Sequence, residues 1–218
     1  MPGENTLTKP GKGRLIALEG SGGKALAAAA KRLQKCFQGQ DGETGVSVWD
    51  ASGVFYEVLQ GPREVTGATP RTLLLLYAAD LAFRLRWQIQ PALEDGATVI
   101  AGPYVESAVA FGRAVGLPKP WLRELFSFAP PPDASYRVSE DKIPMLKRGK
   151  PADNFLEFCF LHLRRGAGQW YTEEVRKDFL QHLKSKAGRG QCTLVTAHVL
   201  ESLSSGAKRT PKAAARKA

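Results

Sequence analysis

Short apolar runs alternate along this chain with longer amphipathic stretches. Leu15-Ile16-Ala17-Leu18-Glu19 follows Arg14 and meets Gly20-Ser21-Gly22-Gly23, a pattern that predicts a buried strand entering a glycine-rich turn. From Lys24 to Gln38 the chain has no Pro or Gly and is rich in Ala, Leu, Lys and Gln, which favour helix. Leu26, Ala30, Leu33 and Phe37 fall at helical spacing there and are expected to face the core. Further strands are predicted at Val46-Ser47-Val48-Trp49, Ala97 to Ala101, Ala134 to Val138 and 191–197. Helices are predicted at Val54 to Gln60, Arg71 to Leu93, Val105 to Val115, Trp121 to Phe128, 154–165 and Glu173 to Lys186. The longest of these carries Leu74, Tyr77, Ala78, Leu81, Leu85 and Ile89 on one face. Pro91 marks a local break or the start of a new turn, and Gly96 is a candidate C-terminal cap.

Strands separated by helices at short spacing imply an α/β domain, with a parallel sheet of about five strands flanked by helices. Ligands of such sheets bind beyond the carboxyl ends of the strands. Gly20 to Lys24, Trp49-Asp50 and Gly102-Pro103-Tyr104 all lie at such ends and are expected to converge on one cleft.

The glycine turn sits where a phosphate loop of the form GxxxxGK[ST] would sit. In that loop, backbone amides wrap a phosphate, the Lys neutralises charge and the hydroxyl holds Mg²⁺. Here Gly20-Ser21-Gly22-Gly23-Lys24-Ala25 keeps the Gly-Lys pair after a strand, but the loop is two residues short and Ala25 stands at the hydroxyl position. The helix dipole and Lys24 remain to attract an anion. A plain strand-to-helix turn is the competing reading.

Together these segments resemble thymidylate kinase, a nucleoside-monophosphate kinase of the P-loop superfamily, from about Arg14 to about Ser204. Leu15 to Gly20 is similar to the family's first strand and loop entry. The most specific stretch is Leu74-Leu75-Leu76-Tyr77-Ala78-Ala79-Asp80, followed by Gln90-Pro91-Ala92-Leu93-Glu94-Asp95-Gly96-Ala97-Thr98-Val99-Ile100. Pro132-Asp133 resembles the dipeptide before the family's fourth strand, and Lys147-Arg148-Gly149 with Asn154-Phe155 resembles a remnant of its lid.

The resemblance implies a P-loop fold and transfer of the γ-phosphoryl group of ATP, with Mg²⁺, to the 5′-phosphate of dTMP. It implies phosphate binding by Gly20, Ser21, Gly22, Gly23 and Lys24, with Lys24 the surviving catalytic candidate. The monophosphate pocket would comprise Asp50, Tyr77, Tyr104, Ser107 and Phe111, with Tyr77 at the place of a thymine-stacking aromatic. Lys147 and Arg148 would be lid cations. Packing readings stand beside these: Tyr77 and Phe111 as core aromatics, Asp50 as a turn cap, and the lid cations as a solvated face. The chain departs from the family where charge is handled. Gly102-Pro103 replaces an Asp-Arg pair, Trp49 falls near an expected Arg, Leu81 replaces another Arg, and Gly112 replaces a Gln that reads the thymine edge.

Composition narrows the picture further. The chain has 218 residues, enough for one domain with a full core, and 43% are apolar, which excludes wholesale disorder. The longest apolar run, Leu73 to Ala79, is too short to cross a bilayer, and the first twelve residues carry no secretion-signal pattern. Cys36, Cys159 and Cys192 form no CxxC pair, so neither a zinc site nor a disulfide framework is expected, consistent with a cytoplasmic setting. Five units of the net charge of +10 come from Lys208, Arg209, Lys212, Arg216 and Lys217, in a tail from residue 205 expected to be disordered; residues 1–13 are expected to be flexible. The tail reads as a solubiliser or, without any accompanying motif, as a nucleic-acid contact.

Phosphoryl transfer depends on positioning and charge stabilisation, and one lost arginine-type contact costs on the order of 10³ in rate. Two readings follow. One is a non-catalytic nucleotide-binding or regulatory relative, with no cofactor. The other is an active thymidylate kinase using ATP and Mg²⁺, with cations relocated to Arg113, Arg148, Arg164 or Arg165. Homodimerisation is expected by family analogy, through the apolar helix Leu73 to Ile89.

Overall fold

The first strand has side chains that are buried on both sides of the sheet, because Leu15 and Ala17 point to one face and Ile16 and Leu18 to the other. A strand apolar at successive positions must lie centrally, and this one does. In the computed structural model, which describes residues 13–20, 23–38, 43–60, 69–138, 173–185 and 192–195, five strands pair in parallel. They are β1 (Arg14–Glu19), β2 (Thr44–Val48), β3 (Thr98–Gly102), β4 (Ala134–Val138) and β5 (Cys192–Val195), in the order β2-β3-β1-β4-β5. This is the α/β class expected, with all five strands where the hydrophobic pattern put them.

Helix α1 (Gly23–Phe37) covers one face, with Leu26, Ala29, Ala30 and Leu33 against Ile16, Leu18 and Ile100. The other face carries α2 (Val54–Gln60), α3 (Pro70–Arg84), α4 (Gln90–Glu94), α5 (Val105–Ala114), α6 (Lys119–Leu125) and α7 (Glu173–Ser185). There Leu15, Ala17, Val99 and Ala101 meet Phe55, Leu74, Tyr77, Leu81, Phe111 and Phe179 in a single apolar cluster. The helix expected at 154–165, the terminal segments 1–12 and 205–218, and the lid candidates lie outside the described residues.

Proline changes the expected course of two helices. Thr69 caps α3 by accepting from the Thr72 amide, and Pro70 starts the helix. The long helix expected to Leu93 is interrupted by a π-helical turn over Leu85–Ile89, where the Gln90 amide reaches back five residues to the Leu85 carbonyl. Pro91 has no amide to give Trp87 and its ring crowds that carbonyl; the widened turn just before it relieves both, and α4 restarts with Pro91 in its first turn. Helix α6 starts at Lys119 rather than Trp121, because a proline in the first turn, Pro120, forfeits no helical hydrogen bond. Gly96, at φ 84°, ends α4 in the left-handed conformation that its missing side chain allows.

Candidate functional site

The carboxyl ends of β1, β2 and β3 are joined by buried charge. Glu19, the last residue of β1, is fully buried. Its carboxylate accepts hydrogen bonds from the amides of Tyr104 (3.3 Å), Glu106 (2.9 Å) and Ser107 (2.8 Å) and from the Ser107 hydroxyl (2.5 Å). The first turn of α5 has no side-chain cap of its own. Glu19 supplies one from another strand, at the end of the helix where its dipole favours negative charge. Ser107 also accepts the Gly20 amide at 3.1 Å, so the entry to the glycine turn is tied to the same centre.

Burial pushes the Glu19 carboxyl up to about 7, the Ser107 hydrogen bonds and the Glu106 amide opposing it and the Glu106 charge adding to it. Glu106 in turn pairs with Arg137 of β4 at 3.1 Å.

A second buried centre lies on α3. Asp80 accepts the amides of Asp50 and Ser52, each at 3.0 Å, and the Ser52 hydroxyl at 2.9 Å, so it holds the β2–α2 turn. Arg84, one helical turn on, lies 3.4 Å from Asp80, and both side chains are fully buried. Its guanidinium donates to the Pro103 carbonyl at 3.0 Å, while Nε and Nη1 have no hydrogen-bond partner among the described residues. The Asp80–Arg84 pair therefore clamps the turn after β2 to the turn after β3.

The residues singled out from the sequence fall into three groups. Tyr77, Tyr104, Ser107 and Phe111 come together, but inside the core. The Tyr77 hydroxyl lies 2.8 Å from the Pro103 carbonyl and 2.7 Å from that of Tyr104, with one proton to share, and the Tyr104 hydroxyl donates to Pro130 at 2.8 Å. Burial raises the pKa of both hydroxyls above the ordinary tyrosine value, with Arg84 opposing. Asp50 lies apart from them, at φ 56°, a left-handed conformation that Asp tolerates. It caps α2 by accepting the Phe55 and Tyr56 amides at 2.8 and 3.0 Å. Partial burial raises its pKa, the two amides opposing and the Asp80 charge adding to it. Of the phosphate-loop residues, Gly20 is buried and Gly23 opens α1, whereas Ser21, Gly22, the Lys24 side chain, Lys147 and Arg148 lie outside the described residues.

At two glycine positions an added side chain would crowd its neighbours. A Cβ on Gly102 would stand 3.0 Å from Cβ of Leu18, and one on Gly112 would stand 2.5 Å from Leu122 Cδ2 and 2.9 Å from Leu74 Cδ1. Three groups of the site were missed in the sequence: Glu19, Asp80 as a clamp, and Arg84. The signal was there, since Asp80 and Arg84 fall on the same helical face as Tyr77 and Leu81, and ions on an apolar stripe must be paired. Among the described residues, no cluster of three or more His, Cys, Asp or Glu side chains could hold a metal, and no helix is long and apolar enough to cross a membrane.

Two measurements test these centres. The folded chain keeps the Glu19 proton up to about pH 7, while an exposed glutamate releases it near 4.5. The folded state thus binds more protons across that window. This contribution to stability is full below the unfolded pKa and declines as pH rises through about 7, by about 3 kcal/mol in all. Urea denaturation across this range should show the decline, and Glu19→Gln should lose it; equal slopes in the two proteins would refute the assignment. For the clamp, Asp80→Asn should cost about 3–5 kcal/mol, because it sets an amide against backbone donors and strands a buried cation. Arg84→Met should cost less, since Asp80 keeps three donors and two guanidinium nitrogens make no hydrogen bond among the described residues. The reverse ranking in thermal melts would contradict this arrangement.

No family model matches the chain. Individual relatives do. It is 35% identical over 197 residues to the "Probable thymidylate kinase" of Thermococcus gammatolerans, taking in 77% of this chain and 94% of the relative. Proteins of the same name from Pyrococcus abyssi and Pyrococcus horikoshii are each 30% identical over 167 residues, covering 67% of this chain and 75% of theirs. By this similarity the chain belongs to the thymidylate kinase family.

Proposed function

We propose that this chain is a thymidylate-kinase relative with lost or strongly reduced phosphoryl transfer, retained as a nucleotide-binding or regulatory protein. One observation carries the reading. The two described arginines at the strand ends are both buried and committed, Arg84 to Asp80 and the Pro103 carbonyl, Arg137 to Glu106. Transfer of a phosphoryl group needs cations and donors facing the migrating charge. The acids are committed too: Glu19 to the start of α5, Asp50 to the start of α2 and Asp80 to the β2–α2 turn, with Ala25 at the position of a metal-binding hydroxyl. These residues do not fit a Mg²⁺ site. The packing around Tyr77, Tyr104 and Phe111 also leaves no opening for a base between them.

The competing reading, an active kinase of ATP and dTMP, draws support from the relatives' names and from the 94% of one relative that is aligned. The two readings separate in one assay. ADP formation from ATP·Mg²⁺ should not rise on adding dTMP, while calorimetry with each nucleotide reports whether binding persists. Robust dTMP-dependent ADP formation that Lys24→Ala abolishes would overturn the proposal.

Self-association is part of the same reading. Leu75, Phe83 and Trp87 are 53%, 38% and 65% exposed and, with Ala79, make a stripe at intervals of four along α3 and the π turn. Such a stripe suits a two-fold pairing of helices. Light scattering should give a dimer mass, and Phe83→Glu/Trp87→Glu should give a monomer with an unchanged circular dichroism spectrum; a monomeric wild-type chain would exclude the pairing.

A further inference from the structure

Helix α5 has two working faces. Ser107, Ala108 and Phe111 are turned into the core, whereas Val105, Val109 and Arg113, spaced by four residues, line a cavity of about 490 Å³. Helix α6, the turn that follows it and α7 form the remaining walls. The size falls within the range of about 300–1,000 Å³ typical of small-molecule sites. Its lining is divided by chemistry. Val105, Val109 and Ala129, each half-buried, make an apolar floor, while Arg113, Lys119, Arg123 and His182 bring basic groups from three different helices. Among the described residues no carboxylate lines it; Glu124 and Asp178 are on the same helices but are not part of the wall.

Three of these groups, Arg113, Lys119 and Arg123, are little used by the described fold. Lys119 and Arg123 are exposed, with no hydrogen bond or ion pair to any described residue, and Arg113 makes a single 3.5 Å contact with the Leu117 carbonyl. This is the opposite of the strand ends, where the described arginines are buried and committed. Like charges gathered round an apolar floor repel one another, and an anion with an apolar body relieves the repulsion while covering the floor.

We propose that this cavity binds a small phosphate ester, a doubly charged group on a flat apolar body. Arg113, Lys119 and Arg123 hold the phosphate, and Val105, Val109 and Ala129 pack against the body. The cluster of cations matches a dianion better than a single negative charge, and its confinement to one cavity favours a small molecule over a polymer. The site shares no residue with the strand-end centre, so it does not rest on whether phosphoryl transfer survives.

Phenyl phosphate is a suitable probe, titrated into the full chain by calorimetry. It should bind, and Lys119→Gln and Arg123→Gln should each weaken it by about tenfold, as expected for a charge-assisted hydrogen bond. Both positions are exposed, so the variants should melt like the wild type. Inorganic phosphate, lacking the body, and benzoate, lacking the second charge, should both bind more weakly. The imidazole resonances of His182, assigned with a His182→Gln variant, should shift on titration. Absence of phenyl phosphate binding, equal affinity in the double variant, equal or tighter binding of either control anion, or unmoved His182 resonances would each overturn the proposal.

Discussion

A carboxylate buried at the end of the central strand organises the functional end of this protein. Glu19 has lost its hydration, and a bare buried carboxylate is too costly to leave unpaired. Four donors from the β3–α5 turn and the start of α5 converge on it. That arrangement fixes the direction of α5, the turn after β3 and, through Ser107, the entry to the glycine turn. Desolvation nonetheless outweighs those bonds and lifts the group to about 7. The junction is therefore held together by a group that sits at the edge of ionisation near neutral pH.

The Asp80–Arg84 pair does similar work one layer away. Its position ties α3 to the turn after β3. Arg84 reaches that turn from α3 and bonds the Pro103 carbonyl. A cation thus approaches the end of β3 from within the core, where it binds backbone. Buried pairs of this kind stabilise little in net terms, but losing one partner is expensive, which is reason enough for both to persist. With the charge drawn inward there, Lys119 and Arg123 of α6 are the exposed basic groups beside the α5–α6–α7 cavity.

Much of this was legible in the chain. The strand at 14–19 and the long helix from Arg71 were plain from periodicity, because burial on both faces and burial on one stripe write different apolar patterns. The carry-over of Tyr77, Tyr104, Ser107 and Phe111 as neighbours was legible too, since they lie on α3, at the β3–α5 junction and on α5 in a known order. Their depth was not. An aromatic at a pocket wall and one in a core have the same spacing, and only the burial reached on packing distinguishes them. Asp50 shows the same limit, since a carboxylate in a turn reads alike whether it grips a ligand or, as here, caps a helix.

Local chemistry written in the chain determined the α/β class, the strand order's starting point in a central β1, and the family, because each depends on residue types at short or fixed spacing. Tertiary structure decided which ions meet. Glu19 and Ser107 are 88 residues apart, Arg84 and Pro103 are 19, and the cations of the α5–α6–α7 cavity come from three helices. Electrostatic energy depends on distance and on exclusion of water, and neither is set until the chain has packed.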